Sequence, residues 1–115
     1  MRDTGLKGSF VLSRAHVDAH VVAISPGIFA LGQRSADGLK FAIRRVGRSD
    51  ADVNRRLHAY VGRYSHFKFA YSLSSRMAFE EECALFHRLN PLDNKIHPTR
   101  PVDTIWRCPQ CHIFD

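Results

Sequence analysis

The pattern of apolar and polar residues from 26 to 46 predicts two paired strands. Pro26 precedes a run rich in Ile, Phe and Leu, and proline is tolerated at the start of a strand. Residues 35–38, Ser-Ala-Asp-Gly, predict a hairpin turn, because the Asp-Gly pair suits a backbone with positive φ. Residues 39–46 then alternate between apolar and polar side chains, which predicts a second strand antiparallel to the first. Arg45 falls on the apolar face of this strand, where a charge is unexpected.

The next segment predicts a short helix. Ser49 followed by Asp52 resembles a capping box that opens a helix. The helix would run to about Val61 and stop at Gly62, since glycine commonly ends helices. Its inward stripe would be formed by Val53, Leu57, Tyr60 and Val61.

A third strand and a longer helix follow. Residues 66–73 alternate in the way that is typical of a strand, with aromatic side chains on one face. Ser74 or Ser75 caps a helix that ends near Leu89, ahead of an Asn-Pro pair. The predicted fold class is therefore α+β, with a small three-stranded antiparallel sheet flanked by helices.

The two ends of the chain lack such regular patterns. Residues 9–12 favour a short strand, whereas residues 14–19 are polar and predict a loop. Four prolines between positions 91 and 109 predict an irregular tail. We therefore divide the chain into an N-terminal extension, residues 1–25, an α+β domain, residues 26–94, and a Pro/Cys-rich C-terminal tail, residues 95–115.

The charge balance favours a polyanionic partner such as DNA or another nucleic acid. Seventeen Lys and Arg residues against eleven Asp and Glu give a formal net charge of +6, and basic proteins gain affinity by releasing counterions from phosphates. No apolar run approaches the roughly 20 residues that span a bilayer, and the first residues do not match a signal peptide. We expect a cytoplasmic protein that does not associate with membranes.

One acidic residue falls on the apolar side of the last helix. At 100° per residue, Glu82 lies near the middle of the apolar arc. A carboxylate that faces a core is costly unless an arginine, a metal or a water-filled cleft compensates it. Glu82 is therefore either half of a structural ion pair or a metal-binding or catalytic carboxylate. The arc itself consists of Ala78, Phe79, Leu85, Phe86 and Leu89.

The first helix adds two residues of complementary chemistry. Arg56 flanks the apolar stripe one turn from Tyr60, whereas Arg55 points to solvent. A carboxylate that holds a divalent ion, a guanidinium that neutralises a phosphate and a phenol that orients water form a set able to cleave phosphodiesters.

These residues, in this order, resemble the GIY-YIG nuclease family. Gly27-Ile28-Phe29 and Arg45-Val46-Gly47 stand at the two signature triplets, and Arg56 with Tyr60 follows. The segment from 82 to 91, with an asparagine at 94, is similar to the glutamate helix of bacterial excision-repair members. The resemblance covers residues 26–94 and includes the order of strands and helices.

The resemblance implies a DNA endonuclease that depends on Mg²⁺ or Mn²⁺. It makes Arg56 the catalytic arginine, Glu82 the ligand of the ion, and Gly47 the tight turn beside the phosphate. Tyr60 stands where members carry His or Tyr, and Arg48 occupies a position that is often basic. We therefore take Arg48, Arg56, Tyr60 and Glu82 as candidate catalytic residues.

The sequence also departs from the family pattern in three places. Phe29 keeps the ring of the first signature tyrosine but lacks its hydroxyl, and Arg45 replaces the second tyrosine. The segment from Gly47 to Arg56 is one residue longer than in the excision-repair members. Phe29, Arg45 and Gly47 are kept as substrate-binding candidates, because these changes bear on hydrolysis more than on phosphate contact.

The tail offers a separate metal constellation. Cys83 and His87 lie four residues apart and face the same side of the last helix. With Cys108 and Cys111 they would form a Cys₃His set, which is typical of structural zinc sites. His97 and His112 are alternative fourth ligands. The competing interpretation is a buried Cys83 with two reduced surface thiols.

Three hypotheses follow from these patterns. The first is a metal-dependent endonuclease of the GIY-YIG type. The second is a catalytically impaired nucleic-acid-binding module on the same fold. The third is a small zinc-stabilised protein-interaction domain. In the first two, target choice would come from a further targeting domain or a protein partner.

Overall fold

The computed structural model describes residues 5–115, which form a mixed α+β fold of four strands and three helices. Ser74 caps the last helix and Asn90, in the left-handed conformation, ends it, as the sequence predicts. The elements in chain order are β1 Lys7–Val11, α1 Arg14–His20, β2 Gly27–Arg34, β3 Phe41–Ser49, α2 Val53–His58, β4 His66–Tyr71 and α3 Ser75–Leu89.

The sheet has four antiparallel strands in the order β1-β4-β2-β3, so the prediction of three strands was wrong. The additional strand is β1, which pairs with β4 at the far edge. Its side chains are exposed or only partly buried, so the sequence shows no clear alternation there. Strand β3 forms the opposite edge, and this edge is where the candidate site lies.

The segment predicted as a loop at 14–19 is the helix α1, Arg14–His20. Ser13 caps it by accepting a hydrogen bond from the backbone N–H of His16. Val17 is its single buried residue, and one large apolar side chain in seven positions is too few to produce a helical pattern. Val17 nevertheless packs with Leu12 into the same core as the sheet.

A bulge in β3 keeps Arg45 off the apolar face on which regular alternation predicts it. The register of β3 against β2 shifts between Leu31 and Gly32, so that Arg44 is the extra residue. Ile43 and Val46, three residues apart, therefore both pack against α3. Arg45 consequently lies beside Tyr60, on the face opposite to Ile43.

The sheet carries a core on each face. The first face packs against α1 and α2 and contains Phe29, Leu31, Val53, Leu57, Phe67 and Phe69. The second packs against α3 and contains Ile28, Ala30, Val46, Ala78 and Leu85. Aromatic residues of β4 thus alternate as the sequence predicts, and α3 approaches the sheet beside the β3 edge.

Helix α2 ends at His58, earlier than the predicted Val61. The backbone N–H groups of Ala59, Tyr60 and Val61 each bond to the carbonyl three residues back, so the last turn tightens and the helix does not continue. This tight turn carries Tyr60 toward β3.

The C-terminal tail, residues 95–115, has no helix or strand, as its prolines predict. It packs against α3 through a small cluster in which Phe79 and Cys83 contact Cys108, Trp106 and Phe114. No helix in residues 5–115 is long and apolar enough to cross a membrane.

Candidate functional site

A cleft of about 400 Å³ lies along the β3 edge of the sheet. It is walled by β3 itself, by α2 and the turn after it, by one turn of α3 and by residues 94 and 96–99 that follow α3. All seven residues that the sequence picks out as catalytic or substrate-binding line it: Phe29, Arg45, Gly47, Arg48, Arg56, Tyr60 and Glu82.

An ion pair between Arg48 and Glu82 lies in this cleft. The Nη1 atom of Arg48 donates to Oε1 of Glu82 at 2.6 Å, and each side chain is only 10% exposed. Nε of Arg48 donates to Asp50 at 2.9 Å, and Nη2 donates to the backbone carbonyl of Thr99 at 2.8 Å. Arg48 is thus fixed by three acceptors, and it orients Glu82 instead of standing free for a phosphate.

The inward position of Glu82, predicted from the helical periodicity of α3, is confirmed, since the residue is 7% exposed. Burial raises the pKa of its carboxyl, and the hydrogen bond from Arg48 opposes that rise without cancelling it. The charge of Asp50 also raises this pKa, whereas that of Arg56 lowers it. A second cation in the cleft would favour ionised Glu82 further.

The ring of Phe29 packs directly against Gly47. A Cβ atom at position 47 would lie 2.5 Å from Cζ of Phe29, a distance that no real contact allows. Phe29 is fully buried and its ring centroid lies 5.7 Å from that of Tyr60. Phe29 therefore supports Tyr60 from inside the core and does not project into the solvent of the cleft.

Tyr60 is surrounded by guanidinium groups. Arg45 lies 5.7 Å and Arg63 5.0 Å from its ring centroid, which are cation–π distances. Nε of Arg45 donates to the hydroxyl of Tyr64 at 3.2 Å, and that hydroxyl donates to Asp93 at 2.7 Å. Arg45 is held in place by this chain of bonds, with its charge beside the aromatic ring.

Arg56 lines the same cleft from α2 and is exposed to solvent. Its charge acts on Glu82, which lies on the other side of the cleft. The structure thus brings Arg56 and Tyr60 of one face and Glu82 of the other to one cavity. The neighbouring Arg55 is exposed and lies outside the lining.

The segment after α3 is tied to β3 by Asn94. Its Oδ1 accepts from the backbone N–H of Val46 at 2.8 Å, and its Nδ2 donates to the carbonyl of Val46 at 3.0 Å. The amide thus satisfies both backbone groups of an edge residue, as a neighbouring strand would. This bond pair places the following residues, 96–99, against the cleft.

Asp50 and Tyr64 are polar residues of the site that sequence reasoning did not single out. Asp50 brings a second carboxylate into the cleft and stands two residues after Arg48. Its signal would have been an acidic residue directly beyond the second triplet. Tyr64 had no such signal, because its contact to Arg45 spans the turn after α2.

A second group of side chains, which we call the Cys/His cluster, could hold a metal ion. Its ligand atoms all lie within 4.8 Å of one another and come from His87, His97, Cys108 and Cys111. Three of these residues were predicted together, and His97 was one of the two alternative fourth ligands. The other alternative, His112, is exposed and outside the cluster.

Cys83, the remaining predicted ligand, lies in the core and is not a member of the cluster. Cys83 lies one turn of α3 before His87. Its thiol contacts Cys108 from the side of the core. Burial raises the pKa of the Cys83 thiol strongly, which opposes the thiolate form that a metal requires. His97 reaches the cluster in its place from the tail.

His97 shows the bonding of a metal ligand. Its Nδ1 lies 2.8 Å from the carbonyl oxygen of Pro98, which can only accept, so Nδ1 carries the proton. The lone pair of Nε2 then faces Sγ of Cys111 at 3.4 Å. Ligating histidines typically donate their other N–H to a carbonyl in this way.

The surroundings of Cys108 lower the pKa of its thiol. Burial alone would raise its pKa, but hydrogen bonds from the Gln110 backbone N–H and from the backbone and side chain of Cys111, together with the adjacent His97, bring its pKa to about 6. All three cysteines are free thiols. The cluster therefore has thiol and imidazole donors of the kind that tetrahedral metal sites use.

Comparisons with known proteins do not assign the chain to a family. No protein-family model, curated protein or solved structure matches it. What the chain does is therefore to be inferred from the cleft and from the Cys/His cluster.

Proposed function

We propose that this chain is a metal-dependent nuclease of the GIY-YIG type, which hydrolyses phosphodiester bonds in DNA. The observation that carries the proposal is the meeting of Glu82, Arg56 and Tyr60 in one cleft, although they come from α3, α2 and the turn after α2. A carboxylate, a guanidinium and a phenol in one cavity form a set able to cleave phosphodiesters.

Each of these side chains has a role that follows from its position. Arg56 is exposed at the cleft and neutralises the scissile phosphate, which approaches from solvent. The hydroxyl of Tyr60 orients the attacking water, with Arg45 beside the ring to attract the anionic backbone. Arg48 positions Glu82 and keeps its carboxylate directed into the cleft.

The carboxylates of the cleft fit a hard divalent cation. Glu82 and Asp50 both line the cavity, and the hydrogen bond from Arg48 uses only Oε1 of Glu82. Mg²⁺ prefers one or two carboxylates, with water and phosphate oxygens completing its shell. When bound, Mg²⁺ or Mn²⁺ supplies stabilisation of the charge that develops on the phosphoryl oxygens. Glu82 and Asp50 would hold it.

The two replaced tyrosines lower the expected rate. Phe29 lies in the core and has no hydroxyl, and Arg45 cannot act as a phenol does. Losing one positioned acid–base group costs about 10²–10⁴-fold in rate. We therefore expect cleavage that is slow and requires Mn²⁺ or Mg²⁺.

Incubation of the protein with supercoiled plasmid and either cation tests the proposal. Wild type should nick the plasmid, and Glu82→Gln, which keeps the shape but removes the charge, should be at least about 100-fold slower. Glu80→Gln, on the same helix but outside the cleft, is the matched control and should retain activity. Equal rates for the two variants, or no nicking by wild type, would overturn the proposal.

A second candidate is a nucleic-acid-binding module without cleavage. The observation that favours it is the engagement of Arg48 with Asp50, Glu82 and Thr99, which holds Glu82 in an ion pair that a cation must share. The same incubation distinguishes the two candidates. Retardation of DNA that weakens with salt, without nicking, would support the binding module.

We also propose that the Cys/His cluster binds Zn²⁺ in a structural role. Two thiols and two imidazoles form a Cys₂His₂ set, and Zn²⁺ takes such sets tetrahedrally with all four positions filled by protein. Bonds of about 2.0–2.3 Å place tetrahedral ligand atoms roughly 3.3–3.8 Å apart, and the 3.4 Å between Cys111 and His97 already matches. Free thiols fit a cytoplasmic location.

A further inference from the structure

The Cys/His cluster and the cleft share one segment of the tail. His97 belongs to the cluster and also lines the cleft, together with Ile96, Pro98 and Thr99. The ligand at position 97 thus stands within the segment that forms the cleft's outer wall, which we call the tail wall, residues 96–99. Any ion that fixes His97 also fixes this wall.

Arg48 connects the tail wall to Glu82, the candidate catalytic carboxylate. The carbonyl of Thr99 accepts from Nη2 of Arg48 at 2.8 Å, and Nη1 of the same guanidinium donates to Glu82 at 2.6 Å. The guanidinium is planar, so the acceptor on one nitrogen determines where the others point. The position of Thr99 therefore determines how Arg48 presents Glu82.

Beyond the bonds from Asn94 to Val46 at its start, the tail has few other means of holding this position. Residues 95–115 have no helix or strand, and several of their apolar side chains are exposed: Ile96, Val102, Ile105 and Ile113. Their packing consists of the small cluster around Phe79, of the His97 ring against Phe86 and Phe114, and of Arg100, which lies 5.0 Å from the ring of Phe114. Such a segment gains most of its order from a cross-link.

The Cys/His cluster provides such a cross-link. His87 belongs to α3, and the other three ligands are spread along the tail. An ion bound to all four closes the chain from 87 to 111 around the helix end. It pins the tail at both the tail wall and the Cys108–Cys111 turn.

We propose that Zn²⁺ in the Cys/His cluster completes the nuclease cleft by holding the tail wall against Arg48. This inference rests on the proposed function for its consequence in catalysis, but its structural part does not. Without the ion, the tail separates from α3, Arg48 loses the Thr99 acceptor, and Glu82 is no longer held in a single orientation. Zinc then affects cleavage without touching DNA.

Trp106 gives a readout that does not depend on activity. It is the only tryptophan of the chain and packs against Phe79, with ring centroids 6.0 Å apart. Removing zinc from the full chain with a chelator that spares Mg²⁺ should shift its emission to the red as the tail separates. The rate of hydrogen–deuterium exchange in residues 94–100 should rise by at least about tenfold over the same range of chelator concentration.

Two cysteine variants test which residues hold the ion. Cys111→Ser should lose zinc affinity by on the order of 100-fold or more. Without chelator, it should already show the red-shifted Trp106 emission of the zinc-free protein. Cys83→Ala should bind one zinc per chain as wild type does, because Cys83 lies outside the cluster. Should Cys111→Ser fail to fold, the chelation series on wild type still decides.

The outcomes separate this inference from the proposed function. Zinc binding with unchanged exchange in residues 94–100 after chelation would overturn the inference, whatever the nicking shows. Equal zinc content in Cys111→Ser and wild type would do the same. Zinc-dependent exchange with no nicking by the zinc-loaded protein would support the inference and overturn the proposed nuclease.

Discussion

At the scale of single residues, the ring of Phe29 depends on the absence of a side chain at Gly47. Phe29 is fully buried, so a shift of its ring disturbs the side chains packed around it. The ring in turn contacts Tyr60 at the cleft. One glycine in an edge strand therefore couples the packing of the core to the position of a candidate catalytic phenol.

We predict that Gly47→Ala lowers the free energy of unfolding by about 1–3 kcal/mol, the usual cost of adding a group to a packed core. The new Cβ would lie 2.5 Å from the Phe29 ring, and the ring would have to move. Urea denaturation measures the loss. Phe29→Leu should relieve part of it in the double variant, and a loss that is equal in both backgrounds would show that the contact is not the cause.

Helical periodicity placed two of the candidate residues in the site. Glu82 and Arg56 lie in helices, where a period of 3.6 residues tells inward from outward positions. Asp50, Thr99 and His97 could not be placed in the same way, because they lie outside helices and strands. Thr99 contributes only a backbone carbonyl, for which side-chain identity gives no signal.

At the scale of elements, the bulge in β3 has the largest consequence for the site. It moves Arg45 to the side of Tyr60 while Ile43 and Val46 pack against α3. A regular strand would have placed Arg45 on the same face as Ile43. The alternation of residues 39–46 predicted the strand but not the bulge, since one extra residue leaves the composition of a strand unchanged.

Helix α1 is the element that the sequence pattern did not indicate. We predict that Val17→Ala lowers the free energy of unfolding by about 1.5–3 kcal/mol, because two methyl groups leave the core and a cavity remains. The same substitution at Val22, which is 78% exposed, is the matched control and should change stability by no more than about 0.5 kcal/mol. Equal effects in a chemical denaturation series would contradict the packing of α1 in this core.

At the scale of the whole molecule, the cleft draws on parts of the chain that are far apart in sequence. Strands β2 and β3, helices α2 and α3 and the tail each contribute lining residues. The order of the elements from 27 to 89 could be predicted, because caps, turns and alternation mark their ends. The attachment of the two chain ends could not, because β1 and α1 expose most of their surface and the tail has no periodicity.

The positive net charge of +6 would by itself attract DNA to many surfaces of the molecule. A comparison of two adjacent arginines of α2 distinguishes this general attraction from a role in catalysis. Arg56 lines the cleft and Arg55 does not, yet both are exposed and both carry one charge. Replacing either one by alanine changes the net charge by the same amount.

The rate of plasmid nicking by Arg56→Ala, compared with that by Arg55→Ala, therefore tests the central claim most directly. With Mg²⁺ or Mn²⁺ present, Arg56→Ala should be slower than wild type by about 10²–10³-fold, the typical cost of removing one group that stabilises transition-state charge. Arg55→Ala should stay within about threefold of wild type. Equal losses in the two variants, or equal retention of activity, would contradict a phosphodiester-cleaving cleft at the β3 edge.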